Sequence, residues 1–123
     1  MFGLQTQRQI EAFLAQTGIC QPEIGTPSLQ FSFSGHQLYI EWRHHQLWMT
    51  VVVAAEIDDS QLLALFERIF SGLTTRYLLR PFRIKGGVAL NVSVSDETTS
   101  EQLLLVYRTM LRLLAPWNKR IHP

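Results

Sequence analysis

The chain has one cysteine, Cys20, so no internal disulfide and no paired-cysteine metal motif is available to it. Its apolar runs, such as Val51 to Ala55, fall far short of the ~18 residues that suggest a membrane span. The opening MFGLQTQRQIEAF has no basic start followed by an apolar stretch, which argues against a signal peptide and for the cytoplasm. Repeats, low-complexity tracts and linkers are absent as well. An excess of charge of one sign is also missing: the formal net charge is +1, which by itself points to neither nucleic acid nor membrane.

What is present is a chain of 123 residues, 46% hydrophobic and 17% charged. That length predicts one domain spanning residues 1–123, able to bury a core without metal or disulfide staples. The charge is unevenly placed. Residues 1–61 hold two basic and six acidic groups, whereas residues 62–123 hold nine basic and four acidic. Nine of the eleven basic residues are arginine, whose planar, weakly hydrated fork suits interfaces better than lysine does.

The hydrophobic pattern predicts an α+β fold in the order helix, three-stranded antiparallel meander, helix, two strands, helix. Ile10, Phe13 and Leu14 share one face of a helix over 5–17, which Gly18 stops. Alternation then puts Leu29, Phe31 and Phe33 on one face, followed by Leu38, Ile40 and Trp42, then Leu47, Met49, Val51 and Val53. Ser34–Gln37 and His44–Gln46 are the turns between these strands. Asp58-Asp59-Ser60 caps a second helix with a core stripe of Leu62, Phe66, Ile69, Phe70 and Leu73. Pro81 predicts an irregular edge strand over 76–84, and Gly86-Gly87 a turn. Val88, Leu90, Val92 and Val94 mark a clear strand. Thr98 and Glu101 have capping-box spacing ahead of a last helix that buries Leu103, Val106, Tyr107, Met110, Leu114 and Trp117.

Catalytic signals are weak. His44 and His45 are adjacent in an extended turn, so their side chains diverge instead of chelating. His36 sits in a turn and His122 near the end of the chain. Cys20 has no visible base or activating field. Helix capping accounts for Asp58-Asp59. Lys85-Gly86-Gly87 lacks the spacing of a phosphate loop and lies between strands. We therefore expect no enzyme, no cofactor and no metal. The segment 76–85 places Arg76, Arg80, Arg83 and Lys85 among Tyr77 and Phe82, which raises nucleic-acid binding as an alternative. The near-neutral charge opposes it, and an Arg- and aromatic-rich edge suits a protein interface as well or better.

The element order, with Gln16-Thr17-Gly18-Ile19 ending the first helix, the meander SLQFSFSGHQLYIEW…LWMTVVV, the acidic start DDSQLLALFERIF and the helix after SVSDETTSEQ, resembles the class I type III secretion chaperones, the Tir-chaperone (CesT-like) family. The resemblance implies a two-layer fold and a bacterial cytoplasmic homodimer that serves virulence. Such a protein binds a non-globular N-terminal stretch of a secreted effector and keeps it export-competent, using β-augmentation and apolar pockets. It also implies a dimer interface on the second helix and the strand after it, here Leu62, Phe66, Ile69, Phe70, Leu73, Tyr77 and Phe82. The partner site would draw on Leu4, Ile10, Phe31, Phe33, Leu38, Ile40, Trp42 and Trp48. Because one sheet face must be core, some of these are structural. Trp48 alternates out of phase with Leu47 and Met49, so it is expected to point away from the core that Met49, Val51 and Val53 define. The pI of 8.0 departs from the acidic habit of that family and suits an acidic partner segment.

Overall fold

The computed structural model describes residues 3–19, 28–71 and 77–118. Cys20, Leu73, Arg76 and His122, for which expectations were formed, lie outside these residues. The elements are α1 (Leu4–Gln16), β1 (Ser28–Phe33), β2 (His36–Arg43), β3 (Gln46–Val53), α2 (Asp59–Ser71), β4 (Arg80–Ile84), β5 (Gly87–Ser95) and α3 (Ser100–Leu114), followed by a 3-10 turn, Ala115–Trp117. The architecture is α+β, and the five strands form one antiparallel sheet in the order β1-β2-β3-β5-β4. The link through α2 carries the chain past β3 to the far edge, and β5 then returns to fill the space between β3 and β4.

Register settles which residues share a face. Leu29, Ile40, Met49 and Val92 form one cross-strand row, and Phe31, Leu38, Val51 and Leu90 the next. These rows face the helices. With Ile10, Phe13 and Leu14 of α1, Leu65 and Ile69 of α2, and Leu103, Val106, Met110 and Leu114 of α3, they make one continuous core. Burying large aliphatic side chains in this way contributes about 1.5–3 kcal/mol each.

Local chemistry sets the helix ends. The Asp58 carboxylate accepts from the Gln61 amide at 2.8 Å while the Gln61 side chain accepts from the Asp58 amide at 2.9 Å, a reciprocal cap for α2. At α3 the cap is Thr99 with Gln102, one residue on from the expected Thr98 and Glu101. Thr98 is instead buried. Two polar ties hold α1 in place: Thr6 donates to the Asp96 carbonyl at 3.0 Å, and the Gln9 side chain accepts from the Ser100 amide at 2.7 Å.

Four expectations need correction. The buried stripe of α2 is Leu65 and Ile69, with Leu62 partly buried, whereas Phe70 is 60% exposed and stacks on Phe66 at 6.3 Å. The helix is rotated about its axis relative to the expected stripe because it packs at the β4 edge and against α3 alone, so one narrow strip is covered. The segment around Pro81 is a regular strand, β4, with Pro81 opposite Leu90. An edge position tolerates the missing N–H. His36 is the first residue of β2, not a turn residue, and lies on the core side opposite Phe33. The turn from β2 to β3 is His44-His45 alone, with φ of 52° and 62°. Two non-glycine residues in left-handed conformations are uncommon, although histidine tolerates them better than most.

Candidate functional site

Among the described residues, all three helices lie on one face of the sheet, and the other face carries none. The uncovered face is built from the alternate positions of each strand. Its rows, read across the register, are Glu41–Trp48–Ser93, then Tyr39–Thr50–Asn91–Arg80, then Gln37–Val52–Ala89–Phe82, and last Gly87–Ile84.

Trp48 is the central feature. It is half-buried without any helix above it, because two arginines flank the ring: the Arg43 guanidinium lies 4.9 Å from the ring centroid and that of Arg80 5.9 Å. Cation–π contacts of this kind contribute about 0.5–1 kcal/mol at exposed sites. The indole N–H is buried and has no acceptor among the described residues. Arg43 also sees the Glu41 carboxylate at 3.7 Å, both side chains being well exposed. Asn91 donates to the Thr50 hydroxyl at 2.8 Å, which closes the middle of the face. Beyond it Val52, Ala89, Phe82 and Ile84 form an apolar strip, with Phe82 38% and Ile84 45% exposed. The strip continues into an open groove of about 800 Å³ at the end of the sheet, between the β1–β2 and β4–β5 hairpins, where His36, Glu56, Lys85 and Trp117 line the walls.

The remaining expected partner residues divide by burial. Leu4, at 65% exposure, is on the surface at the start of α1. Ile10, Leu38 and Ile40 are closed inside the core, because Leu38 and Ile40 lie on the sheet face that the helices cover and Ile10 is on the side of α1 turned to it. Phe31, Phe33 and Trp42 are partly buried and pack against that core from its rim. Of the expected interface residues, Ile69 is core and Leu62 and Tyr77 pack against it, whereas Phe66, Phe70 and Phe82 reach the surface. Leu63, which the sequence reading passed over, completes an outer stripe on α2 with Phe66 and Phe70. Its three-residue spacing from Phe66 was the available signal.

The chemistry of the 76–85 segment is split by strand alternation. Arg80 and Phe82 face the open side, while Arg83 turns to the helices, where it binds the Asp59 carboxylate at 2.6 Å and the Ile57 carbonyl at 3.3 Å. The segment is therefore not one basic, aromatic platform. The histidines do not converge either. His36 stacks on Phe33 at 4.9 Å and shares a 2.6 Å hydrogen bond with Tyr107. Burial lowers the His36 pKa and pushes that of Tyr107 up to about 12. His45 stands 3.9 Å from the Asp96 carboxylate at the opposite end of the sheet. No group of three metal-ligating side chains is found among the described residues, and no helix there is long and apolar enough to cross a membrane.

The SsaM family model matches residues 3–116. The chain belongs to the SsaM family. No curated protein matches this SsaM-family chain by sequence. Two solved structures share its fold. YbjN from E. coli, a proposed transcription regulator, matches at 18% identity with a TM-score of 0.51, covering 93% of this chain and 87% of YbjN. SpcU, from the heterodimeric ExoU-SpcU complex of the type III secretion system of Pseudomonas aeruginosa, matches at 17% identity with a TM-score of 0.51, covering 87% of this chain and 98% of that one. At such identities the likeness establishes the architecture of the SsaM-family chain.

Proposed function

We propose that this SsaM-family protein is a chaperone of type III secretion, of the class I, Tir-chaperone-like kind. In this reading it works in the bacterial cytoplasm, binding a non-globular segment of a secreted effector and keeping it export-competent. The observation that carries the reading is the uncovered sheet face, where a half-buried Trp48 and an apolar strip end in an open groove. An antiparallel sheet commonly leaves one face to solvent, but that face is then polar; apolar and aromatic residues there suit a partner. Sharing a fold with SpcU, which is found in a complex with ExoU, supports the choice of partner class. The two edge strands, β1 and β4, offer backbone groups for an added strand.

The protein acts here as a binding module and not as an enzyme. Among the described residues the most buried imidazole, His36, is engaged with Tyr107. The outer stripe of α2, Leu63, Phe66 and Phe70, is the proposed homodimer contact; Phe82, expected there too, lies on the open face instead. Nucleic acid is disfavoured as the partner because Arg83 is already paired with Asp59.

Capture of bound proteins from the native host, with the type III system induced, tests the proposal. A secreted protein retained through its N-terminal region is the expected result. Retention of none, or salt-sensitive binding to DNA or RNA alone, refutes it.

A further inference from the structure

Resting on the reading that the open face receives a partner segment, we propose that this segment is acidic at one end and apolar at the other. Its carboxylate seats beside Trp48 between Arg43 and Arg80. The chemistry of the face changes along β3, from donor-rich at one end to apolar at the other. At the Trp48 end the groups open to a ligand are guanidinium donors: that of Arg80 has no carboxylate among the described residues, and Arg43 holds Glu41 only at 3.7 Å. At the other end, four residues along β3 and so about 13 Å away, Val52 lies in the row of Ala89 and Phe82. Ile84 lies over Gly87 there, close enough that a Cβ on that glycine would sit 3.2 Å from the Ile84 side chain. Between the two ends, Asn91 and Thr50 are hydrogen-bonded to each other.

A carboxylate complements the donor end, since charge-assisted hydrogen bonds to guanidinium are the stronger kind and can be bidentate. Apolar side chains complement the far end. A segment with this polarity binds in one direction only, which fixes its orientation on the sheet. A second copy of the chain is the competing occupant, because α2 also begins acidic and continues with Leu63, Phe66 and Phe70. Its acids are already used within its own chain: Asp58 caps the helix and Asp59 binds Arg83. The partner segment is therefore the occupant.

The test is an array of peptides of about 15 residues tiling the N-terminal regions of the host's type III-secreted proteins. It is probed with the full chain and with the Arg43→Gln/Arg80→Gln and Trp48→Ala variants. Thermal unfolding confirms that each variant is folded. The expected result is binding to peptides that carry Asp or Glu beside Leu, Ile, Val or Phe. Their signal falls about tenfold in the double variant and weakens at high salt. Bound peptides with no acidic enrichment, or binding that the double variant retains, overturn this inference and leave the chaperone reading standing. An array with no bound peptide removes the chaperone reading and this inference with it. Sedimentation of the same variants covers the remaining occupant: conversion of a dimer to monomer by Arg43→Gln/Arg80→Gln shows that a second copy covers the face, and overturns the proposal.

Discussion

The two faces of the sheet are made from the same strands by alternate residues, yet they answer to different demands. On the covered face Leu38, Val51 and Leu90 sit side by side at 0% exposure under the helices. On the open face their immediate neighbours Tyr39, Thr50 and Asn91 remain partly exposed. The covered face is selected for complementary packing, where a missing methylene leaves a void. The open face mixes an indole, guanidinium groups and an apolar strip, a composition that contributes modestly to this chain's stability and leaves its donors unmet. The difference teaches that stability and recognition here are divided between the two sides of one element, so a substitution can address either one alone.

The largest effect is expected from the covered side. Leu38→Ala should cost about 2–5 kcal/mol of unfolding free energy, by lost burial and a residual cavity. Urea unfolding measures it, and a loss below about 1 kcal/mol would mean that the site collapses around the change. On the open side, Trp48→Ala should reduce partner affinity by about 2 kcal/mol, as truncation of an aromatic anchor does. It should cost folding about 1–2 kcal/mol, the sum of the two cation–π contacts it removes. Calorimetry against the captured partner, alongside unfolding, separates the two numbers. A large stability loss with unchanged affinity would erase the contrast between the faces.

A third comparison sets the hydrogen-bonded His36–Tyr107 pair at the rim of the core against the apolar rows within it. His36 is depressed by burial from its usual 6.5, so the unfolded chain binds the proton more readily and stability is lost as pH falls through about 6.5 toward the folded value. Tyr107 is raised from 10.0 to about 12, so stability is lost again as pH rises through that interval. Tyr107→Phe should remove the alkaline loss and cost about 1–2 kcal/mol at neutral pH, by leaving a buried imidazole nitrogen without its partner. Urea midpoints across pH test both limbs. The smallest effect is expected at the far hairpin. Replacing His44-His45 with Asn-Gly should add about 0.4–1 kcal/mol, because both positions have positive φ that the new pair adopts without strain. A destabilised variant would show that the histidines hold the turn by contacts such as that of His45 with Trp42.

Much of the fold was written in local pattern. Period-two alternation defined β1, β2, β3 and β5, and the spacing of Ile10, Phe13 and Leu14 defined the buried face of α1, because each depends only on residues near in sequence. Alternation also separated Trp48 from Met49 and Val51. The local reading failed at the start of α3: Thr98 was the expected cap, but its side chain is buried and Thr99 caps the helix with Gln102. The stripe of α2 was ambiguous, since Leu62, Leu65, Phe66, Ile69 and Phe70 span too wide an arc for one face. Contact with β4 and α3 selected Leu65 and Ile69 and left the phenylalanines outside.

The sequence by itself determined the elements, their antiparallel character and which residues of each strand lie together, because the two-residue repeat of a strand and the short hairpins leave little freedom. Only the tertiary structure decided which face the helices cover, so Leu38 and Ile40 became core and Trp48 became surface. It also decided the strand order, and with it the site. Arg80 reaches Trp48 only because β5 returns between β3 and β4, which brings residues 32 positions apart within 5.9 Å. That proximity follows from long-range pairing, whose free energy is shared across the whole sheet and leaves no mark in either residue's neighbours along the chain.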